Sequence, residues 1–289
     1  MTLTEGWPEA PEPLPSPVVD NHCHLDHRAY AKDVEGGLLI PVDEALDRAA
    51  AVGVTRIVQV GCDLEGSRWA VETAKTYDSV IAAVALHPNE APRHAEQGDL
   101  EEALAEINAL AQSPYVRAVG ETGLDYFRTG EAGREAQHAS FREHIRMAKR
   151  HDKTLVIHDR DAHDDVLAVL DDEGVPQRVV MHCFSGDADF ARECLDRGAY
   201  LSFAGTVTFK NAENLRDALR VTPSHRILVE TDAPFLTPMP HRGSPNASFL
   251  IPLTVRFMAE IAGKSVEDLC RAINANTVSA FGGDWPHRI

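Results

Sequence analysis

Two imidazoles two residues apart, His22 and His24 in the stretch DNHCHLD (20–26), open a series of chemically capable side chains. Glu121, His158, His182 and Asp232 follow at long intervals. Four histidines and two carboxylates are a donor set for borderline divalent cations, since imidazole and carboxylate suit zinc, manganese and similar ions. Six donors exceed one tetrahedral site, and two ions sharing a bridging carboxylate would use them better. Two ions about 3.5–4 Å apart can hold both the attacking and the leaving oxygen of a displacement. A lone histidine at a strand end is more often structural. H-x-H on a strand is a stronger signal, because the side-chain period of two puts both rings on one face.

Some set of elements must bring these residues together. From Val18 onward, short apolar runs rich in β-branched residues alternate with longer amphipathic stretches. The predicted strands are 18–24, 55–61, 80–87, 116–122, 154–159, 178–184, 199–205 and 226–232. Between them lie stretches such as PVDEALDRAAAVG, DLEEALAEINALAQ, REAQHASFREHIRMAKRHD and AENLRDALRV, where apolar residues recur at helical spacing. LTVRFMAEIAG and SVEDLCRAINANTVSAFG close the chain as further helices. Eight strands alternating with helices over about 250 residues predict a (β/α)8 TIM barrel with an extra C-terminal helix. A doubly wound open sheet is the rival. The polar residues separate the two. His22 and His24 end strand one, Glu121 strand four and His158 strand five, while strand six carries His182 and strand eight Asp232. A barrel converges these ends on one mouth, whereas an open sheet would scatter its first and eighth strands.

Strand parity divides DNHCHLD. With His22 and His24 facing the lumen, Cys23 faces the helix layer, where a buried thiol packs as a small hydrophobe. Asp20 shares the histidine parity one layer deeper. There it either orients an imidazole or bonds backbone groups at the barrel base. Asp26 lies beyond the strand.

The chain has 289 residues, 44% of them hydrophobic, enough for one large α/β domain. Residues 18–289 read as a single domain. Residues 1–17 read as a flexible or extended arm, because GWPEAPEPLPSP (6–17) carries five prolines. The formal charge of −17 removes the broad basic field that steers proteins to DNA, so nucleic acid would have to be handled through cations and a few local Arg or Lys. Five cysteines without a C-x-x-C pair argue against a disulfide framework or zinc ribbon and for a reducing cytosol. Neither a signal peptide nor a membrane span is expected.

The motifs DNHCHLD (20–26), LHP (86–88), GETGLDYF (120–127), IHDRDA (157–162), MHCFSG (181–186), LSFAGTVTFKNAENLRD (201–217), LVETDAPFL (228–236) and PHRG (240–243) occur in that order. Together they resemble the TatD family of metal-dependent deoxyribonucleases, within the amidohydrolase-like barrels. The resemblance implies that His22, His24 and Asp232 hold one ion, that Glu121 bridges two, and that His158 and His182 complete the second. It also implies that Asp232 orients the attacking water and accepts its proton during in-line attack on a phosphodiester phosphorus. Family members are typically supported by magnesium or manganese, with zinc or nickel also possible, and often trim DNA from the 3′ end. His87, Arg160 and Arg242 are candidate substrate contacts, the arginines through bidentate bonds to phosphate. A salt bridge to Asp161 or Asp164 is the competing role for Arg160. Tyr126 and Phe127 are candidates to stack on a base or to pack within their loop, and Lys210 is a surface charge.

This chain departs from the family pattern in three places. Asp159 stands where a small residue is usual, and parity turns it away from the lumen. The segment after PHRG reads SPNAS (244–248), which keeps Asn246 but lacks a later proline. The Pro-rich arm lies outside the shared region. The expected function is hydrolysis at DNA ends or in short single-stranded DNA, by a cytoplasmic monomer. The alternatives are hydrolysis of a small ester, amide or lactone on the same barrel, and a scaffold that keeps its metals for structure. The full ligand set argues against the scaffold.

Overall fold

The structure, a computed structural model, describes residues 6–26, 40–283 and 285. Eight parallel strands pair in sequence order: β1 (Val18–Cys23), β2 (Val54–Gly61), β3 (Val80–Val84), β4 (Val116–Asp125), β5 (Thr154–Arg160), β6 (Val179–Met181), β7 (Tyr200–Phe203) and β8 (Ile227–Val229). Sequential order throughout excludes the doubly wound sheet, whose strand order reverses at a switch point. The ring closes just past β8. The Asp232 N–H donates to the His22 carbonyl and the His24 N–H to the Ala233 carbonyl, both at 2.9 Å.

Helices α1 (Val42–Ala51), α2 (Leu64–Thr76), α3 (Ala91–Gln97), α4 (Leu100–Leu110), α5 (Glu131–Arg150), α6 (His163–Glu173), α7 (Ala188–Asp196), α8 (Glu213–Val221), α9 (Ile251–Ala262) and α10 (Val266–Ala280) fill the connections and the C-terminal end. Local chemistry starts several of them. The Asp63 carboxylate caps α2 through the Gly66 N–H, Asp187 caps α7 through the Asp189 and Phe190 N–H groups, and Ser265 caps α10 through the Asp268 N–H. Among the described residues, no helix is long and apolar enough to cross a membrane.

The strands read as near-continuous apolar runs because both of their faces are covered. Ile57, Val84, Val119, Leu155 and Phe203 face outward and pack under the helices. Val19, Val58, Val60, Ile81, Ala83, Ala118, Val156, Val180 and Leu228 fill the lumen, with Ala280, Phe281 and Trp285 in the same cluster. The Thr154 hydroxyl, at the start of β5, donates to the Ala280 carbonyl at 2.5 Å, which puts the end of α10 across the floor of the barrel.

The structure corrects the sequence reading in three places. First, several strands stop short of their predicted ends, so His24, His87, His182 and Asp232 lie in the segments just beyond β1, β3, β6 and β8. The chain curls over the mouth there: Cys183 and Asp232 take φ of 41° and 53°, a left-handed conformation that is common near functional sites. Second, β1 carries a bulge. Asp20 pairs with Ile57 and Cys23 with Gln59, so three steps on β1 oppose two on β2. Parity therefore slips between them. Asn21 bonds the Ser202 hydroxyl at 2.7 Å, while Asp20 and Cys23 both meet Ser248, at 2.7 and 3.6 Å. Third, the described part of the arm is extended but anchored. Trp7 lies against Phe249, the Leu14 N–H donates to the Val52 carbonyl, and Arg256 donates to the Pro13 carbonyl.

Candidate metal centre

Glu121, near the middle of β4, is the hub of the mouth. Its Oε2 lies 3.3 Å from His22 Nε2; its Oε1 lies 2.6 Å from His158 Nδ1, 3.3 Å from His182 Nε2 and 3.4 Å from His87 Nε2. Asp232 Oδ1 lies 3.4 Å from His24 Nε2 and 3.8 Å from His22 Nε2. All six sequence-predicted donors thus meet in one place. Gly123 helps to seat them. At φ 141° its missing Cβ would fall 2.0 Å from the His158 carbonyl oxygen, so only glycine lets β4 and β5 approach this closely.

The donor set fits divalent cations. His22 is fully buried, and neither of its ring nitrogens has a hydrogen-bond partner. A buried imidazole in that state is costly unless a cation takes a lone pair. The other histidines present one nitrogen to the carboxylates, and the second nitrogen lies beside a further oxygen. His24 Nδ1 bonds the Val60 carbonyl at 3.0 Å, His182 Nδ1 lies 2.8 Å from Glu230 Oε1, and His158 Nε2 lies 3.3 Å from Asp125 Oδ2. Such outer partners fix ring orientation and raise ligand basicity. Donor atoms of His22, His24 and Asp232, and separately of His87, Glu121 and His158, are close enough to share an ion.

The electrostatics agree. Burial pushes the Glu121 carboxyl up, but His182, His87 and His158 outweigh it and hold the group well below the usual carboxylate range. Burial likewise opposes ionisation of Asp232, yet its bond to His24 and the charge of His182 and His22 keep it low. Burial would lower His158, but Asp125 and Glu121 raise it to about 9. His22 is pushed down by burial and by neighbouring His182. The field that draws protons onto His158 and His182 also draws cations, which compete for the same lone pairs and release protons when they bind.

Residues 19–282 match the family model described as TatD related DNase. The chain belongs to the TatD family. A Mycobacterium tuberculosis relative, named an uncharacterized metal-dependent hydrolase TatD, is 43% identical over 272 residues, which cover 93% of this chain and 99% of the relative. The Escherichia coli protein YcfH, also named a metal-dependent hydrolase, is 38% identical over 265 residues, covering 91% and 95%. The crystal structure of YjjV, a TatD homologue from Escherichia coli, superposes with a TM-score of 0.80 at 27% identity and covers 92% of this chain and 98% of its own. The chain is therefore a metal-dependent hydrolase with a TatD barrel.

The rest of the TatD mouth divides into groups that line it and groups that support it. His87 joins the cluster directly, ring to ring with His158 at 4.6 Å. Arg160 and Arg242 sit at the rim, their guanidiniums 3.9 Å and 4.3 Å from the Phe127 and Phe209 ring centres. Arg160 stacks on that ring in place of the salt bridge considered from sequence. The Tyr126 hydroxyl is held by the neighbouring helices, bonding His138 of α5 and Asp165 of α6. Phe127 is 64% exposed. Asp159 turns away from the lumen and bonds His163 Nδ1 at 2.6 Å. Asn246 donates to the Thr231 and Phe235 carbonyls and so ties down the loop that lacks the proline. Asp20 accepts from the Thr231 N–H at 3.0 Å and hydroxyl at 2.6 Å, and so orients the approach to Asp232 rather than an imidazole.

Sequence reasoning passed over Cys62, Asp125 and Glu230. The last two lie inside the quoted motifs GETGLDYF and LVETDAPFL, where a carboxylate interrupting an apolar run was the available signal.

Proposed function

We propose that this chain hydrolyses phosphodiester bonds at the ends of single-stranded or short DNA, using two divalent cations held by His22, His24, Glu121, His158, His182 and Asp232. One observation carries the two-cation part of this assignment, and the TatD family membership supports the substrate class: the two oxygens of Glu121 address different imidazoles, Oε2 facing His22 and Oε1 facing His158 and His182. A carboxylate seated in that way suits a bridge. His22, His24 and Asp232 would hold one ion, and His158 and His182 the other.

Bound cations supply Lewis acidity for a phosphoryl oxygen and lower the pKa of water. The protein supplies the geometry. Asp232, half-buried at the mouth, orients the attacking water and takes its proton. Arg160 and Arg242 reach non-bridging phosphate oxygens from guanidiniums steadied on Phe127 and Phe209. His87, 3.4 Å from Glu121, lines the path between rim and cluster. The net charge of −17 disfavours long duplex, so affinity rests on the cations and these few groups. Magnesium or manganese serves in function, and zinc or nickel can occupy the same donors. The proposed species is a cytoplasmic monomer.

The test is incubation of metal-reconstituted protein with 3′- and 5′-labelled single-stranded oligonucleotides, beside Glu121→Ala and across several metals. Stepwise shortening by the wild type, absent in the variant, is the expected result. Intact DNA together with cleavage of a small ester, amide or lactone by the wild type would reassign the substrate class.

A further inference from the structure

Cys62 immediately follows β2 and enters the mouth from a side that none of the six predicted donors uses. Its thiol donates towards Glu121 Oε2 at 3.6 Å, and its sulfur lies 4.0 Å from His24 Nδ1. The same Glu121 oxygen is the one that His22 Nε2 faces, and His22 is the buried imidazole without a hydrogen-bond partner. His24, Cys62 and Glu121 present one donor atom each within 4.8 Å of one another.

We propose that Cys62 is a seventh metal-binding side chain, supplying a thiolate beside Glu121 and His24 when the site is loaded with a thiophilic ion such as zinc or cobalt. The S–H bond now aimed at Glu121 marks a line between two donors on which a cation can replace a proton. On binding, the thiol proton leaves to solvent and the sulfur lone pair forms the metal–sulfur bond. No electron is transferred. A thiolate is a soft donor, whereas magnesium prefers oxygen donors and retained water, so Cys62 discriminates among ions that the histidines and carboxylates alone would accept. The remaining cysteines are placed differently. Cys23 points into the apolar helix-side core, Cys194 and Cys270 are buried in that same core, and the Cys183 backbone N–H bonds Glu230. The inference rests on the metal centre proposed above but not on its substrate.

Absorption of the full-length protein titrated with cobalt alone tests it. The wild type is expected to show visible ligand-field bands together with a near-ultraviolet thiolate-to-cobalt charge-transfer band. The charge-transfer band persists in Cys23→Ser and Cys183→Ser and disappears in Cys62→Ser, which keeps the ligand-field bands. In competition titrations, Cys62→Ser binds zinc about tenfold more weakly, while its magnesium affinity moves less than about twofold. Ligand-field bands without a charge-transfer band in the wild type, or a charge-transfer band that survives Cys62→Ser, would overturn the role of Cys62 and leave the six-residue centre standing. Absence of both kinds of band would overturn the centre and Cys62 together.

Discussion

Val156 and His158 lie two residues apart on β5 and face the same way, yet they belong to opposite ends of the barrel in chemistry as well as in space. Val156 sits in the dry lower lumen with Val19, Val58, Ile81, Val180 and Leu228, closed by Phe281 and Trp285. His158 sits one layer up among charged groups, 2.6 Å from Glu121. The same strands build both ends. The lower layer stabilises the fold by apolar burial. The upper layer gathers buried carboxylates and imidazoles whose desolvation works against folding until a cation joins them. Stability and function are therefore separable along a single strand, and substitutions a few residues apart should fail in different assays.

The largest expected effect is at the hub. Glu121→Ala should cut turnover by about 10³-fold, the scale seen when a key electrostatic group is removed from an active site. Bound metal should fall with it, read by elemental analysis, while the melting temperature of the metal-free protein stays level or rises. Unchanged metal content and activity would remove Glu121 from the centre. The matched change below is Leu228→Ala in β8. It deletes a fully buried lumen side chain and should cost about 3 kcal/mol in a urea titration. Metal content per folded chain should not move, and if it does, the two layers are coupled and the separation is wrong.

Glu230→Gln probes the boundary between the layers. Glu230 is fully buried beyond β8, with one oxygen 2.8 Å from His182 Nδ1 and 3.0 Å from the Cys183 N–H. Glutamine keeps an acceptor for the N–H but loses the charge that supports His182. Zinc affinity should weaken by 10- to 100-fold, the usual range for the partner of a metal-binding histidine, followed by competition with a chromogenic chelator. Equal affinity in the variant would mean that His182 does not need its carboxylate.

The two layers were unequally legible in the sequence. The lumen and the six donors could be read because the strands are apolar runs, five of which lead into one or two chemically distinct residues, and sequential βα units bring all such ends to one mouth. Asp20 was misplaced because parity was carried across β1 as if its ladder were regular. The bulge there depends on how β2 pairs with it, which no local pattern in DNHCHLD reveals. Cys62 and Glu230 were missed for a related reason: their partners, Glu121 and His182, come from other strands. The arm was read from its prolines as flexible or extended. They do hold it extended, but what fixes it is the fit of Trp7 and Leu14 against the barrel wall, and composition does not show fit.

His144 gives the smallest effect and the finest test of the separation, because it is a buried histidine that belongs to neither layer. It lies on α5, accepts the Leu86 N–H at 3.1 Å through Nε2 and approaches the Ser140 carbonyl at 2.7 Å through Nδ1. Burial pushes it down to about 4, despite the bond to Ser140. Its folded pKa is thus below the ordinary histidine value of about 6.5, so its contribution to stability is whole above that value and is lost as pH falls towards 4. The unfolded chain takes up a proton in this window that the native chain refuses, and one unit of it corresponds to about 1.4 kcal/mol. Between pH 7.5 and 5.5 the wild type should therefore lose about 1 kcal/mol more than His144→Gln, measured by urea denaturation at both values with chelator present. The chelator matters because the mouth histidines titrate in both proteins, and their contribution cancels in the difference only when no cation holds them. A wild type and variant that lose stability in parallel would mean that His144 takes up its proton in the native state, and its bond from the Leu86 N–H would then have to break below neutral pH.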